Sequence, residues 1–153
     1  MRVLFVCTGN TCRSPMAEGY FKHLCEKAGK KEISVSSAGT HAPLGRFPSD
    51  EAIAVMRDEG IDISQHRSVP LDAQMLELAD LIVCMSSAHR FHVGSIKASA
   101  MKKTRLILEF ADKKEQDLGD PFGGNKQLYA YCFHEMKGSL ENLLLDLGKT
   151  DEQ

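Results

Sequence analysis

Cys7 and Arg13 stand with five residues between them in the run Cys7-Thr8-Gly9-Asn10-Thr11-Cys12-Arg13-Ser14. A thiolate is a strong nucleophile, and a guanidinium offers a planar fork of donors that matches two oxygens of a tetrahedral anion. That pairing suits phosphoryl transfer, which needs an in-line nucleophile, neutralisation of the equatorial oxygens and a proton for the leaving atom. Asp120 is the candidate for the proton, because Pro121 after it confines its backbone to extended conformations from which a carboxyl can be presented. On this reading the Cys7 thiolate attacks phosphorus while protonated Asp120 serves the leaving atom. The carboxylate then activates water against the phosphocysteine. Alone, Asp120 would read as an ordinary surface aspartate; the Cys7 run is what raises it above that.

Such a nucleophile needs a strand, a tight loop and a helix in that order. Val3 to Val6 is an apolar strand, and Pro15 opens a helical pattern through about Ala28, with Gly29 as its stop. Between them, Gly9 and Asn10 tolerate left-handed backbone, and Ser14 is expected to cap the helix ahead of Pro15. Successive N-H groups of the loop and the helix dipole would cradle a dianion, and together with Arg13 they are expected to lower the Cys7 pKa.

Further along, Ile33 and Val35 mark a short strand that breaks into loop from Ser36 to Pro43. Ser49 caps a helix to about Glu59, ended by Gly60, and Asp72 caps a shorter one to Leu78. Leu81 to Met85 has the continuous apolar character of a central parallel strand. A helix over about 87–95 follows, then a strand over Leu106 to Leu108. The polar stretch from Ala111 to Gly124 is a loop long enough to cross an active-site mouth, and a helix runs from Lys126 to about Leu147. Strands alternating with helices predict a three-layer αβα fold around a four-stranded parallel sheet in the flavodoxin-like order 2-1-3-4, with the Cys7 loop at the topological switch point.

The residues Val6 to Pro15 (VCTGNTCRSP) and Asp120-Pro121-Phe122-Gly123-Gly124 resemble the two motifs of the low-molecular-weight protein tyrosine phosphatases. The resemblance covers essentially the whole chain and implies one phosphatase domain over residues 1–153, with Cys7, Arg13 and Asp120 catalytic. It implies that Thr8, Gly9, Asn10, Thr11, Cys12 and Ser14 bind the phosphoryl group and that Phe122 walls the mouth where many relatives carry tyrosine. Asn10, Ser14, Ser37 and His66 match the family's supporting hydrogen-bond network, although His66 alone would read as a structural loop histidine. Cys12 is either a packed wall residue or the partner of a reversible, protective disulfide with Cys7.

Thr11 bears on substrate. The tyrosine-selective members usually carry isoleucine there, whereas the family's bacterial protein-arginine phosphatase branch carries threonine, often with the Asp-Pro-Phe-Gly-Gly loop. A hydroxyl in place of an apolar branch makes room and a polar contact for a guanidino group. The reading leans to phosphoarginine, with phosphotyrosine as the alternative.

Composition narrows the rest. With 153 residues, 42% of them hydrophobic, the chain suits one domain, and a net charge of -2 with 26% charged residues gives no basic field for nucleic acid or an anionic membrane. The cluster Lys102-Lys103-Thr104-Arg105 reads as a solvated face. The Val3 to Val6 run near the N-terminus is too short for a signal region or a membrane span, and five scattered cysteines fit a reducing compartment, so a cytoplasmic protein is expected. Cys25 and Cys84 read as core. No metal or organic cofactor is called for. Expected partners are phosphorylated proteins, with phosphate or another oxyanion in the cradle, and the chain is expected as a monomer or weak dimer. Two other readings compete. An arsenate reductase would need a downstream cysteine pair, which Cys84 lacks, and a silent phosphoprotein reader would need neither Cys7 nor Asp120.

Overall fold

The structure, a computed structural model, describes residues 1–113 and 116–150; residues 114–115 of the expected long loop and 151–153 at the end of the expected domain lie outside them. Four parallel strands, β1 Arg2–Cys7, β2 Ser34–Gly39, β3 Leu81–Cys84 and β4 Thr104–Leu106, line up in the order β2-β1-β3-β4. The helices are α1 Arg13–Lys27, α2 Asp50–Asp58, α3 Ala73–Leu78, α4 Ser87–Ile96 and α5 Lys126–Thr150. This is the three-layer arrangement the alternating pattern predicts.

Side chains alternate across β1, and the two faces build separate cores. Val3, Phe5 and Cys7 join Met16 and Phe21 of α1 and Phe133, Met136 and Leu140 of α5. Leu4 and Val6 join Leu76 of α3, Val93 of α4 and Ile82 and Cys84 of β3. Cys7 therefore projects to the side where α1 begins. Phe5 packs edge-on to Phe21, with ring centroids 5.7 Å apart, and Phe133 does the same to Tyr20 at 5.2 Å.

Local signals end the elements as expected. Gly29 and Gly60 adopt φ of 69° and 78° after α1 and α2, Ser49 accepts from the Ala52 N-H at 3.3 Å, and Asp72 accepts from the Met75 N-H at 2.8 Å.

Three expectations need correction. β2 does not break at Ser36: pairing with β1, from Leu4 opposite Ser36 to Cys7 opposite Gly39, carries it to the level of Cys7. The last strand lies at Thr104–Leu106 because Ile107–Ala111 tightens into a 3-10 turn, so only Leu106 of the expected Leu106–Leu108 strand pairs. Helix α1 opens at Arg13 with Cys12 at its N-cap, which puts Ser14 inside the first turn, where it caps nothing.

Beyond β2 the chain returns. Gly39 donates to the Val69 carbonyl and accepts from the Leu71 N-H, each at 2.9 Å, forming an isolated parallel bridge between Gly39 and Pro70.

Candidate active site

Cys7 ends β1 at the carboxyl edge of the sheet, flanked by β2 and β3, the crevice where strand order reverses. The loop from Thr8 to Cys12 turns directly into α1, so the positive helix end lies by Cys7, and backbone N-H groups of Asn10 and Ser14 bond its sulfur. Asn10 makes the turn with φ of 57°, a conformation that asparagine tolerates better than most residues.

Asn10 is fully buried, and every polar atom of its side chain is used. Its Nδ2 donates to Ser14 Oγ at 2.8 Å and to Ser37 Oγ at 2.9 Å, and its Oδ1 accepts from the Val69 N-H at 2.9 Å. Its carbonyl meets His66 Nε2 at 2.8 Å, while His66 Nδ1 faces Glu18 Oε2 at 3.3 Å. The four residues matched by resemblance to a supporting network, Asn10, Ser14, Ser37 and His66, thus lie in one hydrogen-bonded set. Gly39 closes the floor: a Cβ there would collide with the Thr8 carbonyl and lie 3.0 Å from the Asn10 nitrogen, so only glycine lets β2 come this near the loop.

Arg13 is 5% exposed, its NH1 donates to the Leu118 carbonyl at 3.0 Å, and its NH2 lies 3.4 Å from Asp120 Oδ2. Asp120 is half exposed, and its Oδ1 accepts from the Phe122 N-H at 3.0 Å. The segment carrying it is fastened by Leu118 N-H to the Met85 carbonyl at 2.9 Å and by the Asp117 carboxylate to the Ser87 N-H, at the start of α4, at 2.8 Å. A cavity of about 300 Å³ opens above the thiol, lined by Thr8, Gly9, Thr11, Cys12, Arg13, Asp120 and Phe122 from the sequence expectation. Asn10 and Ser14 do not line it; their side chains work beneath the cradle. His41, Pro43 and Arg46 line it without having been anticipated.

The thiol environment differs from expectation. Burial pushes the Cys7 thiol up, and the opposing influences, the Ser14 hydroxyl at 2.8 Å, backbone hydrogen bonds from Ser14 and Asn10, and the Arg13 charge, do not overturn it. Every stabilising group foreseen is present, but the chemistry of a side chain does not announce its desolvation. Attack requires the sulfur as thiolate, and the Ser14 hydroxyl, 2.8 Å away, is placed to donate to it.

Two partners escaped sequence reasoning. His89, in the first turn of α4, is buried with Nε2 2.8 Å from Thr8 Oγ1 and Nδ1 2.9 Å from Ser86 Oγ. Burial and the nearby Arg13 charge lower its pKa to about 4, so the ring is neutral near pH 7. Tyr129, foreseen as a core residue of the last helix, sets its hydroxyl 3.1 Å from Cys12 Sγ, and burial raises its pKa. Only its position just past a central strand's carboxyl end could have marked His89; nothing in the sequence pairs Tyr129 with Cys12.

A desolvated thiol beneath an N-H cradle, at the switch point of this sheet, defines a cysteine-dependent phosphatase. The sequence pattern of low molecular weight phosphotyrosine protein phosphatases matches residues 2–153, and the chain belongs to that family. It is 35% identical to the protein-arginine-phosphatase of Bacillus subtilis over 149 residues, 97% of this chain and 95% of that one. Among solved structures, the fold superposes with a TM-score of 0.92 on a Cys-to-Ser mutant of the YwlE arginine phosphatase whose active-site serine is phosphorylated, at 34% identity and with 97% of each chain covered. A low molecular weight protein tyrosine phosphatase from T. tengcongensis gives 0.89 at 41% identity, covering 95% of this chain and 99% of that one. Among the described residues no helix is long and apolar enough to cross a membrane.

Proposed function

We propose that the chain acts as a single cytoplasmic domain that hydrolyses phosphorylated protein side chains through a phosphocysteine, with phosphoarginine the preferred substrate. The observation that carries this is the Arg13 guanidinium, held by the Leu118 carbonyl and facing Asp120 above the buried Cys7. In the first step a bond forms between Cys7 Sγ and phosphorus as the bond from phosphorus to the leaving nitrogen or oxygen breaks. Protonated Asp120 gives its proton to that atom. In the second step Asp120 takes a proton from water, the water oxygen attacks phosphorus and Cys7 leaves as thiolate. Arg13 and the loop N-H groups carry the oxygens' charge throughout.

Three supports favour phosphoarginine. Thr11 puts a hydroxyl on the cavity wall. Asp120 can pair with the departing guanidinium. The arginine phosphatase of Bacillus subtilis is similar over nearly the whole chain. Phosphotyrosine is the second reading, favoured by the likeness to the T. tengcongensis tyrosine phosphatase.

Turnover of phosphoarginine and phosphotyrosine peptides by wild type and Thr11→Ile decides between them. Phosphoarginine is expected to lead in wild type and to lose its lead in the variant; a phosphotyrosine preference unchanged by the substitution reverses the assignment. Cys7→Ser should abolish turnover of every substrate while phosphate still binds. The same reading gives Cys12 a protective part: peroxide oxidises the Cys7 thiol to a sulfenic acid, releasing water, and the Cys12 thiol then attacks that sulfur, forming a disulfide as the sulfenic hydroxyl leaves as a second water. A peptide linking the two in mass spectra of oxidised protein is the expected sign, and its absence counts against the role.

A further inference from the structure

The mouth of the cavity holds a second guanidinium. Arg46 lines it and is exposed, and among the described residues its side chain has no anionic partner, in contrast to Arg13. Its backbone is unusually well held. Ser68 is fully buried, and it accepts from the Arg46 N-H at 2.9 Å through Oγ, donates its own N-H to the Arg46 carbonyl at 2.8 Å, and accepts from the Gly45 N-H at 2.8 Å through its carbonyl. Its hydroxyl donates to the Pro43 carbonyl. Burying a hydroxyl is costly unless it is bonded, and here every bond goes to residues 43–46, so Ser68 makes this rim stiff.

Next in the chain, Phe47 is exposed yet fixed by the Arg67 guanidinium, 3.7 Å from its ring centroid, and Arg67 is itself anchored on the Ser64 and His66 carbonyls. The segment from His66 to Val69 that fixes this rim also fixes the cradle, through Asn10. Rim and cradle are therefore registered to one another. Among the described residues Asp120 is the one carboxylate lining the cavity, and it already faces Arg13, so Arg46 is placed to act on what lies outside the phosphoryl group.

We propose that Arg46 is a specificity-determining residue that binds the carboxylate of an aspartate or glutamate flanking the phosphorylated residue of the substrate protein. The inference rests on the phosphatase reading above. A guanidinium suits this task because its fork meets a carboxylate at two points, and with the backbone already held the ordering cost of binding is confined to the Arg46 side chain. Because the pair stays wet, the gain is modest and screened by salt.

The test measures kcat/KM for peptides carrying one phosphorylated residue, of whichever kind wild type turns over better, flanked by Asp, Asn or Lys. Wild type should favour the Asp peptide over the Asn peptide by about five-fold at low salt, and less at high salt. The ratio should fall to about one in Arg46→Gln and invert toward the Lys peptide in Arg46→Glu, as expected when an exposed charge pair is removed or reversed. Equal rates on Asp and Asn peptides in wild type, or an Asp preference that survives Arg46→Gln, would falsify the subsite. Wild-type turnover of p-nitrophenyl phosphate, which has no flanking residue, keeps the two readings apart. If it is absent, the phosphatase reading fails and the subsite with it; if it is present without an acidic preference, only the subsite fails.

Discussion

The two halves of the candidate site are held in opposite ways. The cradle is fastened from beneath by buried side chains: Asn10 and Ser14 are inaccessible, and Ser37 and His66 reach them from β2 and from the return segment. The segment carrying Asp120 is fastened from the side, by an exposed Asp117 on the Ser87 N-H, by backbone bonds and by the pair of half-exposed Asp120 with buried Arg13. A receptor for a dianion gains from not relaxing, since its donors must already point at the charge that develops. A group that delivers a proton to leaving atoms of different size gains from compliance. On the proposed reading the buried ties serve the charge that develops on the phosphoryl group, and the surface ties leave Asp120 room for different leaving atoms.

The sharpest way to break that contrast is to remove the central tie of the rigid half. Asn10→Ala leaves the Val69 N-H and two serine hydroxyls without their partner, in a backbone turn that alanine disfavours. A loss of roughly 3 kcal/mol in stability and about a hundred-fold in kcat is expected, the latter for all substrates alike. Chemical denaturation and kinetics check it; a loss that varied with the leaving group would mean the cradle is not a uniform receiver.

Asp120→Asn should show the opposite signature. Amide for carboxyl removes the proton donor, so turnover of poor leaving groups should fall about a hundred-fold or more, while p-nitrophenyl phosphate loses about ten-fold or less. Equal losses across a leaving-group series would count against Asp120 as the acid. Stability should change little, because Asp120 is half exposed, the amide oxygen can still accept from Arg13, and Arg13 keeps its bond to the Leu118 carbonyl.

The smallest effect concerns His89, which extends the buried half to Thr8. The folded protein keeps this ring neutral down to about pH 4, whereas the unfolded chain protonates it near 6.5. The unfolded state therefore binds more protons between those values, and stability should fall as pH drops through that window, levelling off below it. In His89→Gln the fall between pH 6.5 and 4.5 should be shallower than in wild type, as urea midpoints would record. Parallel profiles would show that the ring does not stay neutral.

How much of this was legible in the sequence follows the same division. Cys7, Arg13 and Asp120 stand out because local chain geometry makes their chemistry apparent, and they do meet around one cavity. The sheet order was readable because alternating strands and helices leave few topologies. Ser14 was misread as a cap because its motif is a cap motif; its real partners, Cys7 and Asn10, are decided by the loop's curl. β2 was cut short because Ser36, Ser37, Ala38 and Gly39 have weak strand propensity and are held by pairing with β1. The raised Cys7 pKa and the bond from His89 to Thr8 arise from burial and from contacts spanning the sheet, which no window of residues contains.

The return of the chain along Gly39 has a consequence for solubility. β2 is an edge strand, and an uncovered edge is a template on which another molecule's strand can add. Val69 and Leu71 occupy the hydrogen-bonding groups of Gly39. The same segment offers its N-H at Val69 and its ring at His66 to Asn10. Pulling that segment away would unlatch the cradle and bare the strand end in a single motion, so loss of the phosphate cradle and exposure of a pairing edge are coupled through one segment.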